Sequence, residues 1–131
     1  MPKLAEIANV RNGLAFRGRI ENDDAGDTLV LQASDLLKRD TLDANQLVCV
    51  QLGKKASRYK LHSDDIVFTA RGQHQLAFRP HLPDVAGRPI ITPLGLIMIT
   101  ANQKKILPEY LHWVLNTRRV QHAIDKFTEG G

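Results

Sequence analysis

An arginine, two glutamines and a histidine lie close together near the middle of the chain, at Arg71, Gln73, Gln75 and His74. They directly follow residues 66–70, an apolar, β-branched run with turn residues on both sides. Such a run predicts a buried strand. Arginine can pair bidentately with guanine and glutamine with adenine, so a loop at the end of a rigid strand can read base edges with these groups. The alternative is a core strand followed by a solvated hairpin loop.

A second group of side chains has the composition of a phosphate-binding loop. Residues 53–60 read GKKASRYK, in which basic side chains are interleaved with a hydroxyl and an aromatic ring. The predicted phosphate ligands in this segment are Lys54, Lys55, Ser57, Arg58, Tyr59 and Lys60. Arg17 and Arg19, on either side of Gly18, are predicted to hold a phosphate in the same way. For both segments the alternative is a solvated charged face without a ligand.

Patterns typical of catalysis or metal binding are missing from the sequence. Asp64 and Asp65 are adjacent, and neighbouring residues of a strand point to opposite faces, so a turn is favoured over a shared metal ion. The five histidines have no zinc-binding spacing, and Cys49, the single cysteine, lies in an apolar run that predicts a core position. We therefore predict a protein that is not an enzyme and that uses neither a cofactor nor a metal.

The composition is typical of one domain with a mild preference for polyanions. The chain has 131 residues, of which 43% are hydrophobic, so we predict a single domain over residues 1–131. Lysine and arginine outnumber the acids by 18 to 14, and the pI is about 9.5. The sequence shows no signal peptide and no apolar run of the ~20 residues needed for a membrane span, which predicts a soluble, cytoplasmic protein.

The elements that position these residues can be read from the apolar pattern. A short helix is predicted over residues 2–9, with a turn at residues 10–13 and a capped turn at residues 34–36. Strands are predicted at residues 28–32, 47–52, 66–70, 76–79, 90–92 and 96–100. The strand at 76–79 should pair with the strand at 66–70 as a hairpin.

Two helices are predicted to close the chain. Pro108 suits the first turn of one helix, and the pattern loses phase later, so Thr117 is predicted to cap a second helix. The predicted apolar stripe of the first helix is Tyr110, Leu111, Val114 and Leu115. The predicted fold class is therefore α+β: a short N-terminal helix, a mostly antiparallel twisted sheet and two C-terminal helices packed on it.

Four segments, in this order, share a pattern with one known family. KLAEIANVRNGLAFRG at residues 3–18 is similar to its opening helix, turn and G-x-x-F, and VLQASDL at residues 30–36 to its strand and D-L turn. LHSDDIVFTARG at residues 61–72 resembles its central strand, with Ser63-Asp64-Asp65 where the family has Gly-Asp. ILPEYLHWVLNTRRVQHAI at residues 106–124 resembles its helical closure. The chain thus resembles a target recognition domain of the specificity (S) subunit of a type I restriction-modification enzyme.

The resemblance implies sequence-specific binding of double-stranded DNA at one half of a bipartite target. The implied further partners are a separate adenine methyltransferase and a second recognition-domain subunit. An S subunit carries two such domains joined by spacer helices, whereas no heptad seam extends beyond Phe127 here, so we expect binding to a single half-site and no helical-spacer dimer. The alternative is a protein-interaction module that modulates a restriction or methylation complex without reading DNA itself.

Overall fold

The computed structural model describes residues 4–38, 42–69, 76–83 and 87–117 of the chain. Within these ranges the strands are β1 (Ala8–Asn12), β2 (Thr28–Val30), β3 (Val48–Val50), β4 (Ile66–Thr69), β5 (Ala77–Phe78), β6 (Ile90–Ile91) and β7 (Leu96–Ala101). The helices are α1 (Leu4–Ile7), α2 (Ala33–Lys38) and α3 (Pro108–Leu115), with 3-10 helices at Ala44–Gln46 and Gly53–Tyr59. This combination of helices and largely antiparallel strands confirms the predicted α+β class.

The strands form two sheets, whereas the sequence predicts one. The larger sheet has the order β1-β7-β4-β5 and is antiparallel throughout. The smaller sheet has the order β3-β2-β6, and in it β2 runs antiparallel to β3 but parallel to β6. The chain changes sheet between β6 and β7, where Pro93 pairs with Leu14 and Gly95 has a φ of 106°. Because this turn redirects the chain, two apolar runs that are close in sequence join different sheets.

The core places β4 inside the protein, as its apolar run predicts. Ile66 and Phe68 pack with Leu111 of α3 on one face of the larger sheet. Val67 points to the opposite face and packs in the cluster that contains Leu29 of the smaller sheet. This alternation is the two-residue period of a strand, and all of β4 is buried. The strand is therefore a rigid support for the residues that follow it.

The beginning of the chain differs from the predicted helix over residues 2–9. The helix α1 covers only Leu4–Ile7, and the following residues, predicted as helix end and turn, form β1. Strand β1 pairs with β7 from Ala8 opposite Ala101 to Asn12 opposite Ile97. Hydrogen bonding to β7 satisfies the backbone groups of β1 that face it, and this long-range pairing overrides the local helical period.

Two segments predicted as turn and loop are helical. The helix α2 replaces the capped turn, although Asp35 does act as a cap, because its Oδ2 accepts a hydrogen bond from the backbone N of Gln32 at 2.8 Å. The segment GKKASRYK contains the 3-10 helix Gly53–Tyr59, which we call the basic 3-10 helix. The second C-terminal helix is predicted for a segment that lies outside the described residues from position 118 onward.

The helix α3 begins at Pro108, as predicted, and packs on the larger sheet. Leu111 and Leu115 are buried in the cluster that contains Ile66 of β4. Tyr110 was expected in the same stripe but is 57% exposed, and its ring stacks on that of Trp113 with 6.0 Å between centroids. The predicted stripe is therefore wrong at this residue, since the sheet covers a narrower part of the helix than the stripe spans.

Candidate nucleic-acid interface

Two basic segments that are distant in sequence cover the same face of the smaller sheet. Strands β2, β3 and β6 contribute to a buried cluster on that face, which also contains Ala56 of the basic 3-10 helix. Phe16 and Ile20 pack against this same cluster. Arg17 and Arg19 lie between these two apolar residues and are exposed. The packing of Phe16 and Ile20 therefore brings both predicted phosphate-binding segments to one side of the protein.

We call the resulting cationic patch the basic surface. It consists of six exposed side chains: Arg17, Arg19, Lys54, Lys55, Arg58 and Lys60. Within the described part of the chain, the ion pairs join Arg11 to Asp65 and Arg79 to Asp64 and Glu109, so none of them involves the basic surface. Because no described carboxylate forms an ion pair with these six side chains, their charge is available for a polyanion.

Ser57 and Tyr59, the uncharged residues predicted to bind phosphate, also hold the basic 3-10 helix in place. The hydroxyl of Ser57 donates to the carbonyl O of Lys54 at 3.0 Å, so its proton is already used within the helix. Tyr59 is half-buried and packs against two core clusters. Its ring therefore anchors the helix to the core.

Asp27 holds the amino end of the basic 3-10 helix. Its carboxylate accepts hydrogen bonds from the backbone N of Leu52 at 3.0 Å, the backbone N of Gly53 at 2.9 Å and the side-chain amide of Gln51 at 3.1 Å. The hydrogen bond from Leu52, followed by one from the Thr28 hydroxyl at 2.9 Å, lowers the pKa of Asp27 below its usual value. The carboxylate is thus stabilised in the charged form that best accepts these bonds.

Arg11 of β1 contacts the other end of the basic 3-10 helix. Its Nη1 donates to the carbonyl O of Arg58 at 3.2 Å, and its Nη2 lies 3.2 Å from Oδ2 of Asp65. Asp65 is 2% exposed and also accepts hydrogen bonds from the Thr100 hydroxyl at 2.7 Å and the His62 backbone N at 2.9 Å. A buried carboxylate fixed by these donors in turn fixes the guanidinium of Arg11.

Sequence reasoning assigned neither Asp27 nor Arg11 to this site. Asp27 belongs to an acidic stretch that predicts a surface loop, and Arg11 falls in the predicted turn at residues 10–13. Their contacts with the basic 3-10 helix join residues up to 26 and 47 positions apart, so no local pattern reveals them. The nearest signal is that Arg11 and its partner Asp65 lie in two of the four segments that carry the family resemblance.

The predicted base-reading residues lie outside the described residues: Arg71, Gln73, His74 and Gln75. The two residues that flank this part of the chain are hydrogen-bonded to each other. The backbone N of Thr69 donates to the carbonyl O of Leu76 at 3.0 Å, and the backbone N of Leu76 donates to the Thr69 hydroxyl at 3.0 Å. Thr69, the last residue of β4, and Leu76, which precedes β5, are therefore fixed next to each other.

The helix α3 covers the free edge of β5. Asn116 accepts a hydrogen bond from the backbone N of Ala77 at 2.8 Å, and its Nδ2 donates to the carbonyl O of the same residue at 3.0 Å. The Nε2 of His112 lies 2.9 Å from that carbonyl O. A side-chain amide that pairs in both directions takes the place of a further strand and shields the edge. The hairpin of β4 and β5 is therefore held on both sides.

Other chemistry is limited in the described residues. No three histidine, cysteine, aspartate or glutamate side chains converge there as metal ligands. Cys49 is buried, and its thiol contacts the carbonyl O of Gly26 at 3.2 Å, which places it in the predicted core. In the described ranges no helix has the length and apolar character to cross a membrane.

The fold has a counterpart among solved structures. The crystal structure of the HsdS subunit from Thermoanaerobacter tengcongensis is similar with a TM-score of 0.64 and 12% sequence identity. The similarity covers 98% of this chain and 36% of that chain. This chain shares the fold of part of an HsdS subunit. No protein-family model matches the sequence, and no curated protein is significantly similar to it. At this identity the likeness concerns the fold alone.

Proposed function

We propose that the chain is a DNA-binding module that reads one half of a bipartite target for a type I restriction-modification system. The basic surface is the observation that carries the proposal, because it gathers six cations on one face and pairs none of them within the described chain. The fold shared with an HsdS subunit, the specificity subunit of type I restriction enzymes, supports the same assignment.

The two predicted groups of residues would divide the work of recognition. The basic surface would contact phosphates, which position a protein on the duplex without reading its sequence. The segment between β4 and β5 would read base edges with the side chains that the sequence analysis identifies: Arg71, Gln73, His74 and Gln75. The hydrogen bonds between Thr69 and Leu76 fix the two residues that flank this segment.

In this proposal the chain itself is not a catalyst. The chemistry belongs to a separate adenine methyltransferase, and a second recognition domain would read the other half of the target. The module would need no cofactor and no metal for this task, and it would act in the cytoplasm. Its contribution is the choice of sequence.

The salt dependence of DNA binding tests the phosphate contacts. Lys54→Ala removes one cation of the basic surface, so the slope of log affinity against log salt should fall by about one unit, similarly for all sequences. The matched control is Lys104→Ala, which removes the same charge from an exposed turn after β7. The measurement is a salt titration of binding to a randomised duplex pool. If both variants keep the parent slope, the basic surface is only a solvated face.

An exposed apolar stripe supports a second candidate, a protein-interaction module that modulates a restriction or methylation complex without reading DNA. Leu107, Tyr110 and Trp113 follow a helical spacing and are 60%, 57% and 65% exposed. Exposed apolar side chains grouped in this way are typical of protein interfaces. A chain that binds no duplex at low salt, but binds a methyltransferase subunit through Trp113, would favour this candidate over the DNA reader.

A further inference from the structure

The sequence of the basic 3-10 helix does not by itself favour this conformation. It has seven residues, and 3-10 helices longer than three or four residues are uncommon because their hydrogen-bond geometry is poor. Its N-cap residue, Leu52, offers no side-chain hydrogen bond, and the first helical residue, Gly53, has a φ of 61°. Lys55 and Arg58 are three residues apart, which places them on the same side of a 3-10 helix, so their like charges repel each other. The helix therefore needs support from outside.

That support comes from one charged residue at each end, and each has the sign that the helix dipole favours. The carboxylate of Asp27 accepts the first free backbone N–H groups, at 3.0 Å from Leu52 N and 2.9 Å from Gly53 N. The guanidinium of Arg11 donates to the carbonyl O of Arg58 near the other end, at 3.2 Å. An anion at the amino end and a cation at the carboxyl end both stabilise a helix.

Each of these two residues is held by parts of the fold that lie away from the helix. Asp27 directly precedes β2 and also accepts from the hydroxyl of Thr28 at 2.9 Å. Arg11 lies in β1 and pairs with the buried carboxylate of Asp65, which Thr100 of β7 also contacts. The basic 3-10 helix is thus connected at one end to the smaller sheet and at the other end to the larger sheet.

We propose that Asp27 and Arg11 are positioning residues that clamp the basic 3-10 helix at its two ends and present its cations to DNA in a fixed arrangement. This inference rests on the proposed function of the basic surface in phosphate binding. A helix that is already ordered loses less conformational freedom when it binds, so the clamp raises affinity without adding a contact to DNA.

The substitution Asp27→Asn separates positioning from charge, because the two effects have opposite signs. On charge alone, removal of an anion beside the basic surface should tighten DNA binding. If Asp27 is a positioning residue, asparagine cannot replace it. Gln51 and Gly53 both donate to Oδ2, and in asparagine one of the two carboxylate oxygens becomes an NH2 group that cannot accept these bonds. We expect affinity to fall about three- to tenfold, with the salt slope unchanged.

Asp24→Asn is the matched control. It removes the same charge from the same loop, and Asp24 is exposed and accepts a hydrogen bond only from the nearby Asn22 side chain among the described contacts. The control should bind DNA at least as tightly as the parent. If Asp27→Asn binds as tightly as Asp24→Asn, the positioning role is wrong.

Arg11→Lys tests the other end of the helix with the charge conserved. Lysine lacks the planar fork with which arginine donates to the Arg58 carbonyl and the Asp65 carboxylate together. We expect a similar loss of affinity, again with the parent salt slope. The matched control is Arg79→Lys, the same change at an arginine that pairs with Asp64 and Glu109 outside the basic surface, and it should retain the parent affinity. Equal affinities of the parent and Arg11→Lys would overturn the clamp at this end.

Amide hydrogen exchange separates failure of the clamp from failure of the proposed function. In Asp27→Asn, the backbone amides of Leu52 and Gly53 should exchange faster than in the parent and in Asp24→Asn, with or without DNA. If the parent itself binds no duplex, the proposed function fails, and the exchange rates still decide whether Asp27 clamps the helix. Unchanged exchange at both amides would contradict the clamp whatever the DNA result.

Discussion

At the scale of single residues, the family resemblance rests on side chains that organise the backbone. Asp35 Oδ2 accepts from the backbone N of Gln32 at 2.8 Å, Asp65 accepts from the backbone N of His62, and Asn116 pairs with Ala77 in both directions. Unpaired backbone groups are costly once buried, so these side chains are determinants of the fold. The motifs therefore predict the architecture.

The departure from the family pattern before β4 has a defined structural consequence. Asp64 has a φ of 68°, in the left-handed region that glycine enters without cost and that aspartate tolerates better than most other residues. Its Oδ1 lies 3.2 Å from Arg79 Nη2. Within Ser63-Asp64-Asp65 the unusual conformation therefore belongs to Asp64, while Ser63 occupies an ordinary turn position.

Arg71→Ala is the test of base readout at the scale of one residue. If the arginine pairs with a base, specific binding should weaken by about 1–3 kcal/mol, and preference should relax at one position of the target. Arg17→Ala is the control, because it removes the same charge from the basic surface and should weaken all sequences alike. The measurement is selection from randomised duplexes. Unchanged discrimination by Arg71→Ala would remove this residue from the readout group.

At the scale of elements, the sequence predicts what local composition determines. The runs that became β2, β3, β4 and β7 are apolar and bounded by turn residues, so their pattern is sufficient. The strand β1 is different, because its residues have a helical period and become a strand only through pairing with β7. The division into two sheets likewise depends on the choice of distant partners, such as the parallel pairing of Leu29 with Ile90.

The packing of α3 is open to a direct test of stability. Leu111 is 1% exposed and contacts the cluster of Ile66 and Phe68, so Leu111→Ala should reduce the free energy of unfolding by about 2–5 kcal/mol. Tyr110→Ala, on the exposed side of the same helix, should cost about 1 kcal/mol or less, chiefly through loss of its stacking on Trp113. Denaturant unfolding measures both. Similar losses for the two variants would contradict this orientation of α3.

At the scale of the whole molecule, the two sheets carry different parts of the candidate site. The smaller sheet supports the basic surface, and β4 and β5 of the larger sheet flank the predicted base-reading segment in the sequence. Composition alone was enough to find the cations of residues 53–60. The clamp by Asp27 and Arg11 could not be found in this way, because it exists only once β1, β2 and the basic 3-10 helix have come together.

The stoichiometry of DNA binding tests the assignment of one half-site to one chain. The described residues contain one basic surface and one hairpin of β4 and β5, so one chain should bind one duplex half-site in a 1:1 complex. Two copies joined by a flexible linker should bind a two-site duplex about a hundredfold more tightly, since the second contact becomes intramolecular. Sedimentation equilibrium with one-site and two-site duplexes distinguishes these states. A tight dimer that binds only two-site DNA at one fixed spacing would contradict the assignment, because the recognition unit would then be a pair of chains.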